Sequence, residues 1–295
     1  MKIKAPAKIN LYLKVLGKRE DGFHELLTLM APVSLFDEIE LEPTGEGVSL
    51  HAPGSGCEER KNIAYRAAEL FLRETGAKGG VHIDIVKNIP VGAGLGGGSS
   101  DGAAVLMGMN DLFGTGLSTA ELMDLAARIG SDCPFFILRE PRFMGGRGEI
   151  PLQKAVLEER SYLIVVPPLE ISTALVYFHL KCPLTLYDKT YKSNNVVMEQ
   201  LIVPERILQN DLEDSAFGLC PEIEPIKKEL LDAGALGVLM SGSGSSVFGV
   251  FRDNEHICYG MSQLRRHEGY RYIPTTSLTG VSYGDYRGKG VSGQG

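Results

Sequence analysis

The 295-residue sequence holds no apolar run approaching the ~18 residues that a membrane-spanning helix requires. A membrane partner is therefore not expected. Cys57, Cys133, Cys182, Cys220 and Cys258 are scattered, odd in number and nowhere arranged as a CxxC pair. That spacing speaks against a disulfide framework and leaves reduced thiols in a cytoplasmic protein as the expectation. The six histidines also lack ligand spacing, so no zinc site is read. Positive charge is in deficit, with 30 lysines and arginines against 37 aspartates and glutamates, a formal net charge of −7. Without a basic footprint, a nucleic-acid partner is not expected either. An anionic ligand would need local cations or backbone N–H groups to overcome the global field. The opening MKIKAPAKINLYLKV alternates like a strand and carries no signal-peptide pattern.

What is present is an ordinary globular composition, 43% hydrophobic and 23% charged. The length suits one large domain or two ordinary ones. Ile9, Leu11 and Leu13 alternate as in a strand, Ile39 and Leu41 suggest a second short one, and GKREDGFHEL between them reads as a charged loop turning at Asp21-Gly22. Asn62 can cap a helix over IAYRAAELFLRETG that stops at Gly76. VHIDIV (81–86) alternates strictly. A helix begins near Ser100, and Ser118 with Glu121 forms a capping box for TAELMDLAARI, which ends at Gly130. SYLIVV (161–166) reads as a buried strand, Ser172 can cap TALVYFHLK, and residues 182–200 read as an irregular excursion. The stretch 221–234 reads as a helix stopped by glycine, followed by GVLM, the turn SGSGSS and the strand VFGVF. Strands and helices mix without a regular βα repeat, which predicts an α+β fold. A polar stretch around 150–160 marks a candidate boundary, and the glycine-rich segment 283–295 reads as a flexible tail.

The stretch VGAGLGGGSSDGAA, from Val91 to Ala104, poses the functional question. Gly92, Gly94 and Gly97 fit the spacing of a dinucleotide fingerprint. That fingerprint needs a strand feeding directly into the turn, whereas Lys-Asn-Ile-Pro intervenes here, and Asp111 at the acidic offset lies inside a helical pattern. A Walker A loop needs a lysine that this stretch lacks. A run of small residues entering a helix still offers backbone N–H groups and a positive dipole end to phosphate. Ser99 and Ser100 can add hydroxyl donors or a magnesium ligand. A flexible linker is the bland alternative.

The pattern PxxxGLGGGSSDxAA resembles the signature of the GHMP small-molecule kinases. The likeness is tighter with the branch that acts on 4-diphosphocytidyl-2-C-methyl-D-erythritol. PAKINLYLKVLGKREDGFHEL (6–26), NIAYRAAELF (62–71), IPVGAGLGGGSSDGAA (89–104), IGSDCPFF (129–136), QNDLE (209–213) and SGSGSSVFGVF (241–251) occur in its order. The resemblance implies a two-domain GHMP kinase fold, with an N-terminal part like ribosomal protein S5 domain 2 and a ferredoxin-like C-terminal part. The expected division is 1–155, ATP-binding and catalytic, and 156–282, on the substrate side. It further implies phosphorylation of the substrate's 2-hydroxyl by ATP, with Mg2+ expected, in the non-mevalonate route to isoprenoid precursors. Monomer and homodimer are both open. Kinases for homoserine or mevalonate, and a non-catalytic sensor on the same fold, are the alternatives. Three small departures stand out: Gly102 where alanine is expected, Phe23 where many relatives carry tyrosine, and Ser245-Ser246 in the third motif.

On that resemblance Lys8 and Asp132 are the catalytic pair, Asp132 as general base. The ATP-binding set is Pro90, Val91, Gly92, Ala93, Gly94, Leu95, Gly96, Gly97, Gly98, Ser99 and Ser100, with Asn62 and Lys87 as adenosine contacts. Asn10, Phe23, His24, Tyr177 and Asp132 are expected on the substrate, His24 bonding the cytosine and Tyr177 stacking on it. No carboxylate suggests itself as a dedicated metal ligand, and Ser100 is the favoured contributor. Each residue also has a plain reading. Lys8 would be a solvated strand-edge lysine, Asp132 an acceptor for turn N–H groups, Asn62 a helix cap, Tyr177 packing, and SGSGSS a turn between strands.

Overall fold

The computed structural model describes residues 1–180 and 201–278. Cys182, Lys181 at the end of the expected TALVYFHLK helix, the excursion 182–200 and the tail 283–295 lie outside the described residues.

Strands β1 (Lys2–Lys18) and β2 (His24–Thr44) form one long antiparallel hairpin. The expected charged loop shrinks to a tight turn, in which the Arg19 N–H donates to Phe23 O at 2.8 Å. The second strand is 21 residues long rather than short. Its alternation is hidden because much of it is buried on both faces. Strand β4 (Gly80–Val86) pairs antiparallel with β2, and β3 (Gly47–His51) pairs in parallel with β4 at the sheet edge, with helix α1 (Ile63–Thr75) between β3 and β4 in sequence. Asn62 caps α1 by accepting from the Ala64 N–H, and Gly76 closes it in the left-handed conformation. Helices α2 (Gly97–Leu112), α3 (Thr119–Ile129) and α4 (Cys133–Leu138) follow, then strands β5 (Arg142–Gly145) and β6 (Ile150–Lys154). The Ser118–Glu121 capping box forms as expected.

A second sheet of four antiparallel strands runs β11–β7–β10–β9: β7 (Ser161–Val166), β9 (Gly237–Met240), β10 (Val247–Phe251) and β11 (Arg271–Thr276). Helices α5 (Thr173–Phe178), α6 (Glu213–Leu219), α7 (Glu224–Asp232) and α8 (Asn254–Gln263) accompany it. The helix expected over 221–234 divides into a 3-10 turn at Pro221–Ile223 and α7.

The layers follow from who packs on whom. Helices α1–α4 cover one face of the large sheet through Phe71, Val105, Phe135 and Ile83. The other face meets the second sheet through Ile9, Leu11, Tyr162 and Phe248. The far face of that sheet packs on α5–α8 through Leu163, Val165, Leu230 and Ile257. A β-bulge between Pro6 and Ala7 changes the hand of alternation in β1. Ile3 and Ala5 therefore join the core under the helices, whereas Ala7, Ile9 and Leu11 join the core between the sheets. Lys8 and Asn10 are thereby turned toward the side where α2 begins.

One short element ties the halves of the chain together. Strand β8 (Gln209–Asn210) pairs in parallel with Tyr12 and Leu13 of β1. The buried Asn210 amide donates to Met240 O and Gly242 O, both at 2.8 Å, and its Oδ1 accepts from the Leu212 N–H at 3.0 Å. Asn210→Ala removes all three bonds and strands two carbonyls. At about 1 kcal/mol per bond, it should cost roughly 3 kcal/mol, seen as a lower urea midpoint with an unchanged m-value.

Candidate active site

A cleft of about 1320 Å3 runs between the helix side of the large sheet and the β9–β10 turn. Its floor is built by the glycine segment. Ala93 O accepts from Ser246 Oγ at 2.5 Å, and Gly94 O accepts from Ser241 Oγ at 3.0 Å. SGSGSS is thus both the β9–β10 turn and a clamp on the loop. Gly94 has φ +76°, and a Cβ there would stand 2.1 Å from Ser241 O. Gly96, at φ 71°, forms the N-cap of α2 without any side-chain cap. The helix therefore starts at Gly97, three residues before the expected start near Ser100, because the glycines enter the helix instead of preceding it. Gly97, Gly98 and Ser99 of its first turn line the cleft, where the N–H groups of a helix start can receive phosphate.

This shift bears on one expected ligand. Successive helical residues are turned by about 100°, and Ser99 lines the cleft whereas Ser100 does not. Ser100 is fully buried, its Oγ without a partner among the described residues. Pro90, Val91, Gly92, Ala93, Gly94, Leu95, Gly96, Gly97 and Gly98 all line the cleft, as do Asn62 and Lys87.

Lys8 is 4% exposed, far from the solvated edge lysine of the plain reading. Its Cγ would be 3.1 Å from a Cβ on Gly96, and its Nζ donates to Asn10 Oδ1 at 2.5 Å. The Asn10 amide is in turn held by Thr28 Oγ1 at 2.8 Å. Asp132 Oδ2 lies 3.8 Å from Lys8 Nζ. Burial pushes the Lys8 pKa below its ordinary value, and the Asp132 carboxylate opposes that shift. Asp132 precedes α4 yet makes no capping bond to it, so the turn-acceptor reading fails and its oxygens face the cleft.

Lys87 is not a free cation. Its ammonium bonds both Asp37 and Asp101, the latter at 2.7 Å. Asp37 also accepts from the Asn88 and Ile89 N–H groups at 2.6 and 2.8 Å. Burial raises the Asp101 pKa, and Lys87 partly offsets this. The expected adenosine contact is thus first a tie between the loop, β2 and α2. Its aliphatic stem remains on the cleft wall.

At the far end of the cleft, His24 and Tyr177 stack on each other, ring centroids 5.2 Å apart and 25° from parallel. That arrangement differs from a base lying between them, so the free face of Tyr177 and the edge of His24 are what they offer. Burial lowers the His24 pKa, with nearby Lys18 adding to it, which favours a neutral ring with one donor and one acceptor. Phe23, 52% exposed, stands beside them. Arg147 and Thr173 are among the lining residues that the sequence reading did not name. No signal marked either, since each belongs to a short turn or helix start with no motif of its own.

Among the described residues no group of three or more His, Cys, Asp or Glu side chains could hold a metal. No described helix is long and apolar enough to cross a membrane.

Known proteins resemble this chain in sequence and in fold. Residues 62–140 match the model of the GHMP kinases N terminal domain, and residues 199–257 that of the GHMP kinases C terminal domain. The chain is 42% identical over 279 residues to a 4-diphosphocytidyl-2-C-methyl-D-erythritol kinase of Geobacter sp. (strain M21), covering 92% of this chain and 96% of that one. It is 43% identical over 269 residues to the enzyme of the same name from Syntrophotalea carbinolica, covering 90% and 95%. A crystal structure of a 4-(cytidine 5'-diphospho)-2C-methyl-D-erythritol kinase superposes with a TM-score of 0.78 at 37% identity, over 95% of this chain and all of that one. Homoserine kinase from Cytophaga hutchinsonii, at 19% identity and a TM-score of 0.64 over 95% of this chain and 94% of that one, shares the fold.

Gly92 and Gly94 offer an internal control for the loop. Both have left-handed backbones, but a Cβ on Gly92 meets nothing within 4 Å. Gly92→Ala should cost about 1 kcal/mol of backbone strain. Gly94→Ala must also displace Ser241, for a loss of roughly 3 kcal/mol, and should weaken ATP binding where Gly92→Ala does so little. Urea unfolding and nucleotide titration of the two variants would check both halves.

Proposed function

The chain belongs to the 4-diphosphocytidyl-2-C-methyl-D-erythritol kinase family of the GHMP kinases, and from that premise we propose that it transfers the γ-phosphoryl group of ATP to the 2-hydroxyl of 4-diphosphocytidyl-2-C-methyl-D-erythritol. The products are ADP and the 2-phosphate. The observation that carries this reading is the meeting, in one cleft, of an uncapped glycine helix start, a buried lysine and a carboxylate 3.8 Å from it.

Phosphoryl transfer asks for positioning and charge neutralisation more than covalent catalysis. The first turn of α2 receives the ATP phosphates. Lys8 runs from beside Gly96 to Asp132, so its ammonium spans the gap between transferred phosphoryl group and acceptor oxygen. Asp132 accepts the hydroxyl proton as the new P–O bond forms. Asn10 fixes Lys8, and Thr28 fixes Asn10. Mg2+, when bound with ATP, neutralises phosphate charge. The Ser99 hydroxyl on the cleft wall suits it, since magnesium takes few protein ligands beside phosphates and water. His24 offers a neutral edge to the cytosine, with Tyr177 and Phe23 supplying apolar faces.

The homoserine and mevalonate readings share the fold but leave the aromatic end of the cleft without a task. We also place the division between an ATP-binding part and a substrate-side part near residue 155, and the reaction in the cytoplasm, in keeping with the unpaired thiols expected from the cysteine spacing.

ADP release should follow addition of the cytidine substrate and not of homoserine or mevalonate. Turnover of another alcohol alone would sink the substrate assignment and spare the kinase. Asp132→Asn should lower kcat by about 10²- to 10⁴-fold with ATP affinity little changed. A near-normal rate would remove Asp132 as the base.

A further inference from the structure

Asn210 does not line the cleft, but the turn it holds does. Its amide donates to Met240 O and Gly242 O, both at 2.8 Å, at the foot of the β9–β10 turn. Gly242 has φ +58°, and a Cβ there would stand 3.3 Å from Lys8 Nζ, 3.4 Å from Asn10 Oδ1 and 3.4 Å from Gly94 O. The backbone whose carbonyl Asn210 grips is therefore packed at once on the ammonium, on its bonded neighbour and on the glycine loop.

Asn210 is also tied to the strand that carries Lys8. Gln209 and Asn210 pair with Tyr12 and Leu13. The Asp211 N–H donates to Leu13 O at 3.0 Å, and Asp211 Oδ2 accepts from the Val15 N–H at 2.9 Å. One short segment thus sets the separation between β1, which presents Lys8, and the turn that covers it. Asn210 and Lys8 are both buried, 6% and 4% exposed, which leaves little room for water at the ammonium.

Asp132, just before α4, is the charged group facing that ammonium. Asn10 of β1, Gly242 of the turn and Gly96 of the loop approach the Lys8 side chain uncharged. Tyr177 of α5 lies near Asp132 as a phenol whose pKa is raised by burial and then by that carboxylate. Burial is the larger influence on Lys8 and lowers its pKa.

We propose that Asn210 is a positioning residue for phosphoryl transfer: it keeps the Gly242 turn seated on Lys8 and so keeps water from the ammonium. The inference rests on the function proposed above, with Lys8 as the cation between phosphoryl group and acceptor. A cation fixed in a poorly solvated place stabilises migrating charge better than a hydrated one. If the turn lifts, water returns, the charge is screened, and the Lys8 pKa climbs toward its ordinary value.

The test compares the full chain as wild type, Asn210→Asp and Leu230→Ala. Asn210→Asp keeps the shape and the bond from Leu212 but sets oxygens against two carbonyls. Leu230→Ala loosens the core on the far face of the second sheet, away from the cleft. Turnover is measured beside the Lys8 pKa, read by nitrogen NMR titration of its ammonium. Asn210→Asp should lower kcat about 10- to 100-fold with KM for ATP and the cytidine substrate little changed. It should raise the Lys8 pKa by about one unit. Because protonated Lys8 is the working form, the alkaline limb of kcat should move to higher pH with it. Leu230→Ala should shift neither reading despite a lower urea midpoint.

An unmoved Lys8 pKa or an unchanged kcat in Asn210→Asp would overturn the proposal, as would the same shifts in Leu230→Ala. If the Asp variant does not fold, Asn210→Ser, too short to reach both carbonyls, decides by the same two readings. Wild type that does not phosphorylate the cytidine substrate would overturn the proposed function and this inference together. An active wild type whose Lys8 is indifferent to Asn210 overturns only the inference.

Discussion

The close approach of the glycine loop to the β9–β10 turn is the constraint on which the site depends. Two serine hydroxyls from the second sheet, Ser241 and Ser246, bond carbonyls of the loop, at Gly94 and Ala93. The first of these bonds could not form with a side chain at Gly94, where a Cβ would stand 2.1 Å from Ser241 O. The same contact fixes the direction in which Gly96 turns the chain into α2, and hence where the helix N-terminus points. Lys8 lies against Gly96, and Lys8 sets the position that Asp132 must meet. The chemistry is placed by backbone approach before any charge is considered.

Charge then has to be managed in a chain whose net charge is −7. The lysines near the cleft floor illustrate two different solutions. Lys87 is fully committed to Asp37 and Asp101, a buried cluster that contributes rigidity and little field toward a ligand. Removing one partner from such a cluster leaves an uncompensated buried charge, which is why the three residues act as one structural unit. Lys8 is buried as well, but its carboxylate partner stands at 3.8 Å and its bonded partner is the neutral Asn10. Its positive charge is therefore held in a poorly solvated place without being cancelled. Only the second arrangement can stabilise a migrating phosphoryl group.

Much of this was legible in the sequence because the relevant signals are local. The Ser118 capping box, the Asn62 cap, the Gly76 stop and the strand at 81–86 each follow from a few neighbouring residues. Lys8, Asp132 and the glycine run were legible by resemblance, and the cleft does gather them. Less legible was whatever depends on two segments meeting. The two residues of β8 have no periodicity, and only their pairing with β1 makes them a strand. The length of β2 was hidden by burial on both faces. The start of α2 was placed three residues late because composition cannot say whether a glycine run precedes a helix or begins it. The ion pairs of Lys87 were hidden for a similar reason: its two carboxylates lie 50 and 14 residues away in sequence.

The departure at Gly102 shows how such a distant meeting can explain a residue that looks anomalous alone. A Cβ on Gly102 would stand 2.6 Å from Ile63 Cγ2. Ile63 is the first residue of α1, fixed in place by the Asn62 cap immediately before it. A branched side chain at that position has few rotamers with which to retreat. Alanine at 102 and isoleucine at 63 thus compete for one volume where α1 crosses α2, and glycine resolves the conflict. The substitution leaves the phosphate-facing turn untouched, since Gly102 is buried against α1 while Gly97 to Ser99 face the cleft. Gly102 therefore reports on helix packing, and a search for its meaning in the chemistry would look on the wrong side of the helix.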